Sequence, residues 1–203
     1  MSDPARQQTP DQGDKEGGRS VRERLRNAWT VEFSNLRWRL LFSRLAIRML
    51  PEGRAVGLRT ALIRAIGLHI GPGTRFLGIP KLQSNVPGSL RLRLRTGADC
   101  TIGAGVILEF GEALTMGDRV ILGDRAVILT TTHQLGPKER RAGTVVRNPV
   151  VIGNDVEIGA AAIILPGTTI GDAARVLPNS VVNGNVAPGV TVSGVPARPL
   201  RAG

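Results

Sequence analysis

A repeat of six residues dominates the second half of the chain and restricts its fold more than any other feature. Aliphatic residues recur at this spacing at Ile152, Ile158, Ile164, Ile170, Val176 and Val182. Small or short side chains follow four positions later, at Val156, Ala162, Thr168, Ala174, Ser180 and Val186. Neither the helical nor the strand period produces such a repeat. A chain that turns a corner at every repeat closes a triangular coil in three hexads, and stacked coils bury one aliphatic column. The repeat predicts an all-β fold, a left-handed parallel β-helix.

The repeat also predicts which residues stack. Because three hexads close one coil, Ile152 is expected over Ile170, and Ile158 over Val176. The pattern begins upstream at Ile102 and Leu108, slips by two residues near Phe110, and resumes with Met116, Leu122 and Ile128; Ile70 and Phe76 fit a first turn. Gly153, Gly159 and Gly171 follow an aliphatic residue, in phase with the repeat. Glycine and asparagine near the corners are expected to supply backbone angles that other residues resist.

The N-terminal third has a different composition. Residues 1–20 are polar and rich in Gly, Pro, Gln and Asp, which predicts disorder. Residues 21–68 read as a basic amphipathic helical arm, with apolar side chains on one helical face at Trp38, Leu41, Phe42, Leu45 and Met49. A second helix is expected from about Arg54 to Ile66, stopped by Gly67. Residues 69–203 form the predicted β-helix domain.

The positive charge is concentrated in that arm. Residues 19–64 contain eleven arginines against three glutamates, whereas the whole chain has a formal net charge of +11. The basic residues of the arm are interpreted either as solvated or as a peripheral contact with anionic lipid headgroups. The apolar face of the arm is interpreted as docking against the rest of the protein, with membrane contact as the alternative. Nucleic acid is disfavoured as a partner because no aromatic residues interleave with the basic ones.

Cysteine and histidine counts limit the remaining chemistry. Cys100 is the only cysteine, which favours a reducing compartment and predicts a cytoplasmic location, with contact at the inner membrane face as an extension of that prediction. The hydrophobic stretch 36–50 is interrupted by four arginines and cannot span a bilayer as one helix. Two histidines and one cysteine, far apart in sequence, leave a zinc site short of ligands, so no metal is predicted.

The repeat fails after Ile128, and the failure contains a histidine. The run Thr130–His133 leads into a polar, basic stretch, residues 134–149. This stretch is predicted to be a loop that extends from a corner of the coil. His133 at its root suits a general base, because a neutral imidazole can accept a hydroxyl proton near neutral pH. A surface loop histidine is the alternative. His69 is interpreted as structural.

Three segments carry a resemblance to a known family: "MGDRVILGDRAVILTTTHQL", "NPVVIGNDVEIGAAAIILPGTTIGDAARVLPNSVV" and "APGVTVSGVPARPLR". Together they make the stretch from Met116 to Arg201 resemble the maltose/galactoside O-acetyltransferases and their polysaccharide-acetylating relatives of the hexapeptide-repeat superfamily. The resemblance implies a homotrimeric acyltransferase that moves an acetyl group from acetyl-CoA to a hydroxyl of a sugar or glycan.

The resemblance also implies individual roles. The catalytic base falls on His133, and the backbone N–H that stabilises the oxyanion falls on Ala160. The positions that line the pantetheine arm fall on Ala160, Pro178, Asn183 and Gly184. The cations near the nucleotide phosphates fall on Arg198 and Arg201.

Departures from the family pattern concern mainly the acceptor. Glu157 stands where a tryptophan is often found, and Gly103 stands near the position of the acceptor-binding asparagine. The acceptor-site acid falls near Gly111, so the flanking Glu109 and Glu112 are the candidates for acceptor binding. The acceptor therefore stays open between a lipid-linked or polymeric glycan and a small soluble molecule such as a free sugar, nucleotide sugar or antibiotic. A non-catalytic β-helix scaffold is the alternative from another class, and a metal-dependent hydratase is disfavoured by the histidine count.

Overall fold

The computed structural model describes residues 56–65, 68–83 and 93–200. The predicted disordered segment, residues 1–20, and most of the predicted helical arm lie outside these ranges. Helix α1 (Val56–Ala65) falls inside them and confirms the second predicted helix.

The remaining described residues wind into stacked triangular coils with three faces. Face A consists of β1 (His69–Ile70), β4 (Leu94–Thr96), β7 (Leu114–Met116), β12 (Val150–Ile152) and β15 (Thr169–Ile170). Face B consists of β2 (Arg75–Phe76), β5 (Thr101–Ile102), β8 (Ile121–Leu122), β13 (Glu157–Ile158), β16 (Arg175–Val176), β18 (Thr191–Gly194) and β19 (Ala197–Pro199). Face C consists of β3 (Lys81–Gln83), β6 (Ile107–Glu109), β9 (Val127–Ile128), β14 (Ile163–Ile164) and β17 (Val181–Val182). Apart from β19, which folds back antiparallel on β18, these strands pair in parallel. Two further strands, β10 (Thr131–Leu135) and β11 (Ala142–Arg147), form a separate antiparallel hairpin between the third and fourth coils.

The register of the coils confirms the predicted stacking. Ile152 pairs with Ile170, and Ile158 pairs with Val176. The slip near Phe110 is present, because the inward residues Leu108 and Met116 end successive faces eight positions apart. The inward side chains are almost fully buried, and Ile158, Ile164 and Val176 are at most 1% exposed. The column of aliphatic residues is therefore the core.

The glycines directly after the inward residues lie where stacked coils come into close contact. A Cβ on Gly153 would lie 2.7 Å from the backbone nitrogen of Asp172 in the next coil, and one on Gly159 would lie 2.5 Å from the nitrogen of Pro178. Neither glycine has a positive φ. The corner residues with positive φ lie two positions later, at Asp155 and Ala161. Other corner residues of the expected types do adopt left-handed backbone angles, with φ of 66° at Gly105, 70° at Gly189 and 59° at Asn179, whereas Gly153 and Gly159 are needed for the close approach of stacked coils.

Helix α1 packs on the first coil through a buried arginine. Arg59 is 0% exposed and donates hydrogen bonds from Nη1 to the carbonyl oxygens of Phe76 (3.1 Å) and Leu77 (2.8 Å). The Oγ1 atom of Thr60 accepts a hydrogen bond from the backbone N–H of Phe76 at 3.4 Å. These bonds satisfy carbonyl and amide groups at the first coil, which has no preceding coil among the described residues.

The outer surfaces of the faces differ in polarity. On face C the outward residues of four successive coils are Ile107, Val127, Ile163 and Val181, all half-buried within the single chain. On face A the corresponding outward positions from β4 to β15 are Arg95, Thr115, Val151 and Thr169. On face B, Glu157 and Arg175 form an ion pair at 2.9 Å. Face C is therefore the most uniformly apolar outer surface in this part of the molecule.

The described residues contain neither a membrane-spanning helix nor a cluster of metal ligands. Among them, no helix is long and apolar enough to cross a membrane. Within the same ranges, no three side chains of His, Cys, Asp or Glu are grouped as metal ligands would be. Cys100 is buried, and burial raises the pKa of its thiol.

Candidate active site

The stretch that carries His133 is a β-hairpin, which corrects the sequence prediction of a loop over residues 134–149. Strand β10 pairs with β11 in antiparallel register, with Thr131 opposite Arg147 and His133 opposite Val145. A bulge follows His133 before Leu135 pairs with Ala142. The hairpin leaves the corner between faces C and A, and its paired backbone holds His133 more firmly than a loop would.

One hydrogen bond fixes the protonation pattern of the His133 imidazole. Its Nδ1 lies 3.0 Å from the carbonyl oxygen of Gly143 on the opposite strand. Because a carbonyl oxygen only accepts, Nδ1 must carry the proton and donate it. In the neutral ring Nε2 then has a lone pair, which is the state a general base needs. His133 is exposed, so this nitrogen is accessible.

Glu109 fixes the root of the hairpin. Its carboxylate is 5% exposed, and Oε2 accepts hydrogen bonds from the backbone N–H groups of Thr130 (2.7 Å) and Thr131 (2.9 Å). The Oγ1 atom of Thr131 also donates to it, and so does the backbone N–H of Gly111 at 3.3 Å. Glu109 was expected at the acceptor, but these four bonds engage both of its carboxylate oxygens within the protein.

A ladder of side-chain acceptors runs along two corners of the coils. Where the next coil has an Asp or Asn at the same position, the backbone N–H after a corner glycine donates to it, as in Ala104 to Asp124 at 2.8 Å and Asn154 to Asp172 at 2.7 Å. Ala160 interrupts this ladder because Pro178 stands above it and has no acceptor at that position. The Ala160 N–H therefore has no acceptor among the described residues, although its carbonyl oxygen accepts from Asn179 at 3.0 Å.

An exposed backbone N–H of this kind suits an oxyanion. Ala160 is exposed, and its N–H is held by a rigid corner rather than by a mobile loop. A pre-oriented donor costs little reorganisation when negative charge develops on a carbonyl oxygen. Asp124 has the same property one coil earlier, since Ala160 offers it no side-chain acceptor. Sequence reasoning missed Asp124, and the signal that could have found it is the alanine at the next position of the ladder.

The other residues expected to bind CoA fall into two groups. Pro178 lies one coil above Ala160 at the corner between faces B and C. Asn183 and Gly184 follow β17 at the next corner, and together with Arg198 on β19 they line a cavity of about 270 Å³ at the C-terminal end of the coils. Arg201 lies outside the described residues.

The two expected catalytic groups are at different corners of one chain. His133 extends from the corner between faces C and A, whereas Ala160 is at the corner between faces B and C. Face C, the apolar one, separates them. Glu112 lies near the hairpin root, where its backbone N–H donates to Thr130 Oγ1 at 3.1 Å. A single chain thus places Glu112 at the hairpin root and holds His133 and Ala160 at different corners.

Comparisons with known proteins agree with this architecture. Residues 149–184 match the family model described as bacterial transferase hexapeptide (six repeats). The chain is 38% identical over 71 residues to galactoside O-acetyltransferase of Escherichia coli (35% of each chain) and 43% identical over 71 residues to nodulation protein L of Rhizobium meliloti (35% of this chain, 39% of that one). These matches span little more than a third of the curated relatives.

A solved structure gives a longer match. A hexapeptide-repeat-containing acetyltransferase from Vibrio cholerae, complexed with acetyl-coenzyme A, superposes with a TM-score of 0.68 and 31% sequence identity, covering 84% of this chain and 88% of that one. The six-residue repeat, the coils with three faces and the hairpin at one corner together define a left-handed β-helix of the kind found in the hexapeptide transferases. The chain belongs to the hexapeptide-repeat acetyltransferase family.

Proposed function

We propose that the protein transfers an acetyl group from acetyl-CoA to a hydroxyl of a sugar or glycan, with His133 as the general base. The observation that carries the proposal is the hydrogen bond from His133 Nδ1 to Gly143, because it leaves Nε2 exposed as a proton acceptor. The similarity to an acetyltransferase complexed with acetyl-coenzyme A supports the donor, and the similarity to galactoside O-acetyltransferase supports a sugar hydroxyl as acceptor.

The proposed reaction is a direct transfer. His133 Nε2 takes the proton of the acceptor hydroxyl while the oxygen attacks the thioester carbonyl. The Ala160 N–H donates to the carbonyl oxygen as it gains negative charge. The C–S bond then breaks, the CoA thiolate leaves, and the imidazolium returns its proton to the sulfur. No covalent enzyme intermediate is required, since the thioester is already activated.

The active site is proposed to form between subunits of a homotrimer. Two observations support this assembly. The half-buried apolar column Ile107, Val127, Ile163 and Val181 on face C is the kind of surface that a second copy covers. His133 and Ala160 lie at the two edges of that face, so a site that uses both needs one group from each of two chains.

Acetyl-CoA is proposed to lie along the crevice between subunits. Its pantetheine arm would contact Ala160 and Pro178 of one subunit and Asn183 and Gly184 of another. Arg198, together with Arg201, would hold the nucleotide phosphates by charge-assisted hydrogen bonds. The cavity of about 270 Å³ that Arg198 shares with Asn183 supports that end of the site.

The location is proposed to be the cytoplasm, with the basic arm, residues 21–68, touching the inner membrane face. The charge imbalance of the arm supports this part of the proposal. Flotation of the full chain with vesicles of anionic or neutral lipid tests it. Binding to anionic vesicles should fall when Arg37, Arg39 and Arg44 are replaced by glutamine, and equal flotation of the variant would reject it.

Two substitutions test the chemistry. His133→Ala should reduce CoA release with a sugar panel by at least about a hundredfold, whereas His69→Ala, the matched control, should leave it within about twofold. An unchanged rate in His133→Ala would defeat the assignment. Protection of the chain against thermal unfolding by CoA should persist in both variants, and its absence in the wild type would favour the scaffold alternative.

Replacing Ala160 with proline tests the proposed oxyanion donor, the Ala160 N–H, without disturbing the fold. Pro178 occupies the equivalent corner of the next coil, with Gly159 beneath it as Gly123 is beneath Ala160. Ala160→Pro therefore fits the corner but removes the N–H. The rate should fall about a hundredfold or more, with little change in melting temperature.

Mixing the two inactive variants tests the shared site. If His133 and Ala160 act from different subunits, co-assembled His133→Ala and Ala160→Pro chains should regain up to about a quarter of the wild-type rate, because random assembly places both intact groups at one interface in about four. No recovery in demonstrably mixed trimers would place both groups in one subunit and reject the proposed interface.

A further inference from the structure

The proposed reaction gives no role to the charged side chains of the hairpin. Between Gln134 and Asn148 the chain has four basic residues and one acidic residue, namely Lys138, Arg140, Arg141, Arg147 and Glu139. All five are exposed. Three of the basic residues surround the turn, whereas Arg147 lies at the base of β11, close to the coils.

Strand register places Arg147 beside the proposed base. Directly opposed residues of an antiparallel pair point to the same side, and the diagonal neighbour two positions along is about 7–8 Å away, within reach of a long side chain. His133 is opposite Val145, and Arg147 is two residues further, opposite Thr131. The bulge begins only after His133, so it does not alter this relation. Arg147 is therefore a diagonal neighbour of His133 on the same side of the hairpin.

The backbone that carries Arg147 is firmly held. Its partner Thr131 is fixed by Glu109, which accepts from the Thr131 N–H at 2.9 Å. The next residue, Asn148, donates its N–H to the carbonyl oxygen of Thr130 at 2.9 Å. The guanidinium itself has no acidic partner among the described residues, since their two ion pairs join Arg119 to Asp155 and Arg175 to Glu157.

A cation at this place faces the acceptor. Under the proposed function, the group that touches His133 Nε2 is the acceptor hydroxyl. The phosphates of acetyl-CoA are separated from its thioester by the whole pantetheine arm, and their proposed partner Arg198 lies at the C-terminal end of the coils. Of the two substrates, the acceptor is therefore the one that can place a negative group beside His133.

We propose that Arg147 binds a carboxylate or a phosphate of the acceptor, so that the enzyme prefers anionic sugars to neutral ones. The guanidinium fork pairs with two oxygens of either group and would orient the sugar with one hydroxyl at Nε2. The inference rests on the proposed role of His133, but it can be tested separately because it predicts binding as well as turnover.

Chemical modification of His133 tests binding without turnover. Full-length protein is treated with diethyl pyrocarbonate at constant ionic strength, with glucose, glucuronate or glucose 1-phosphate present, and modified peptides are quantified by mass spectrometry. At least one of the anionic sugars should slow modification of His133 at least about threefold relative to glucose, and the two anions separate carboxylate from phosphate recognition. His69 is the reference in the same molecule and should be unaffected.

The variant Arg147→Gln decides whether the protection comes from this residue. Protection by the anionic sugar should disappear in Arg147→Gln and persist in Arg141→Gln, a matched change near the turn of the same hairpin. Equal protection by glucose and the anions, no protection by any sugar, or undiminished protection in Arg147→Gln would overturn the inference.

Turnover separates this inference from the proposed function. For acetyl transfer to anionic acceptors, Arg147→Gln should lower kcat/KM about tenfold or more, while transfer to neutral acceptors and the KM for acetyl-CoA stay within about twofold; Arg147→Lys should restore part of the loss. If His133→Ala abolishes transfer to every acceptor while Arg147→Gln changes all acceptors equally, the proposed function stands and the anion preference is rejected. If His133→Ala remains active, the proposed function fails, whatever the modification experiment shows.

Discussion

The fifth coil and the hairpin between the third and fourth coils differ in how far their side chains are buried. In the fifth coil, Ile170, Val176 and Val182 are at most 2% exposed, and each strand pairs with the coil before it. In the hairpin, nine residues in succession from Thr132 include only one, Gly136, that is not exposed. The regular coil stabilises the molecule, whereas the interruption presents polar groups to a ligand. Stability and activity should therefore respond to substitutions in different regions.

The largest expected effect is on stability, in the core of the regular coils. Ile158→Ala removes a side chain that is 0% exposed and stacked between Leu122 and Val176, so the free energy of unfolding should fall by about 2–5 kcal/mol. Urea unfolding of the purified variant measures it. Leu135→Ala in the hairpin, where the leucine is 82% exposed, is the matched control and should change stability little. A similar loss in both would contradict the division between the regions.

A smaller loss of stability is expected where two stacked coils are in close contact at a glycine. Gly153→Ala would put a Cβ 2.2 Å from Asp172 Oδ1 and 2.7 Å from its backbone nitrogen, so the coils must separate locally, at a cost of about 1–3 kcal/mol. Gly184→Ala is the control, because no atom lies within 4 Å of the added Cβ. Thermal unfolding followed by circular dichroism compares the two, and equal melting temperatures would contradict the close-approach explanation.

The next effect is on activity, at the junction of the two regions. Glu109→Gln replaces a group that only accepts with one that also donates, so at least one of its backbone donors loses its partner. We expect kcat to fall about tenfold because the hairpin root loosens and His133 loses its position, with the KM for acetyl-CoA and the pH midpoint of activity unchanged. Glu139→Gln, at the exposed turn of the hairpin, is the control. An equal loss of stability and activity in the two variants would give Glu109 no special role at the root.

The smallest effect is expected at a corner of the regular coils. Ala173 has a φ of 55°, a conformation that costs an alanine about 1–2 kcal/mol and a glycine almost nothing. Ala173→Gly should raise the free energy of unfolding by up to about 1 kcal/mol, since the added flexibility of the unfolded chain offsets part of the gain. The adjacent Ala174→Gly, at a buried position with ordinary backbone angles, should lower it.

The sequence predicted the coils well because their signal is repeated. Each inward aliphatic residue is supported by others at the same spacing, so the register, the slip near Phe110 and the stacking of Ile152 on Ile170 are all confirmed. The hairpin was predicted as a loop because its charged and polar residues outweigh one short β-branched run, Thr144–Val146. A single local pairing has no periodicity that could reveal it.

The site was predicted less completely, since its chemistry depends on residues that are distant in sequence. His133 was identified by its place at the interruption, but its tautomer depends on Gly143 across the hairpin. Glu109 was predicted as a candidate for acceptor binding, whereas it is buried and accepts hydrogen bonds from Thr130 and Thr131. Only the three-dimensional pairing shows that its bonds are used within the protein.

The ladder of corner acceptors has a consequence for how catalytic groups can arise on such a scaffold. A free backbone amide at such a corner needs no new functional side chain. Replacing the Asn or Asp at the same position of the next coil is enough to leave the N–H without its acceptor. Asp118, which accepts the N–H of Ala98 at 2.8 Å, marks a place where a single loss would create another such donor. Loss of an acceptor side chain, rather than gain of a new functional group, would then be the short evolutionary route to a further anion-binding amide on the β-helix.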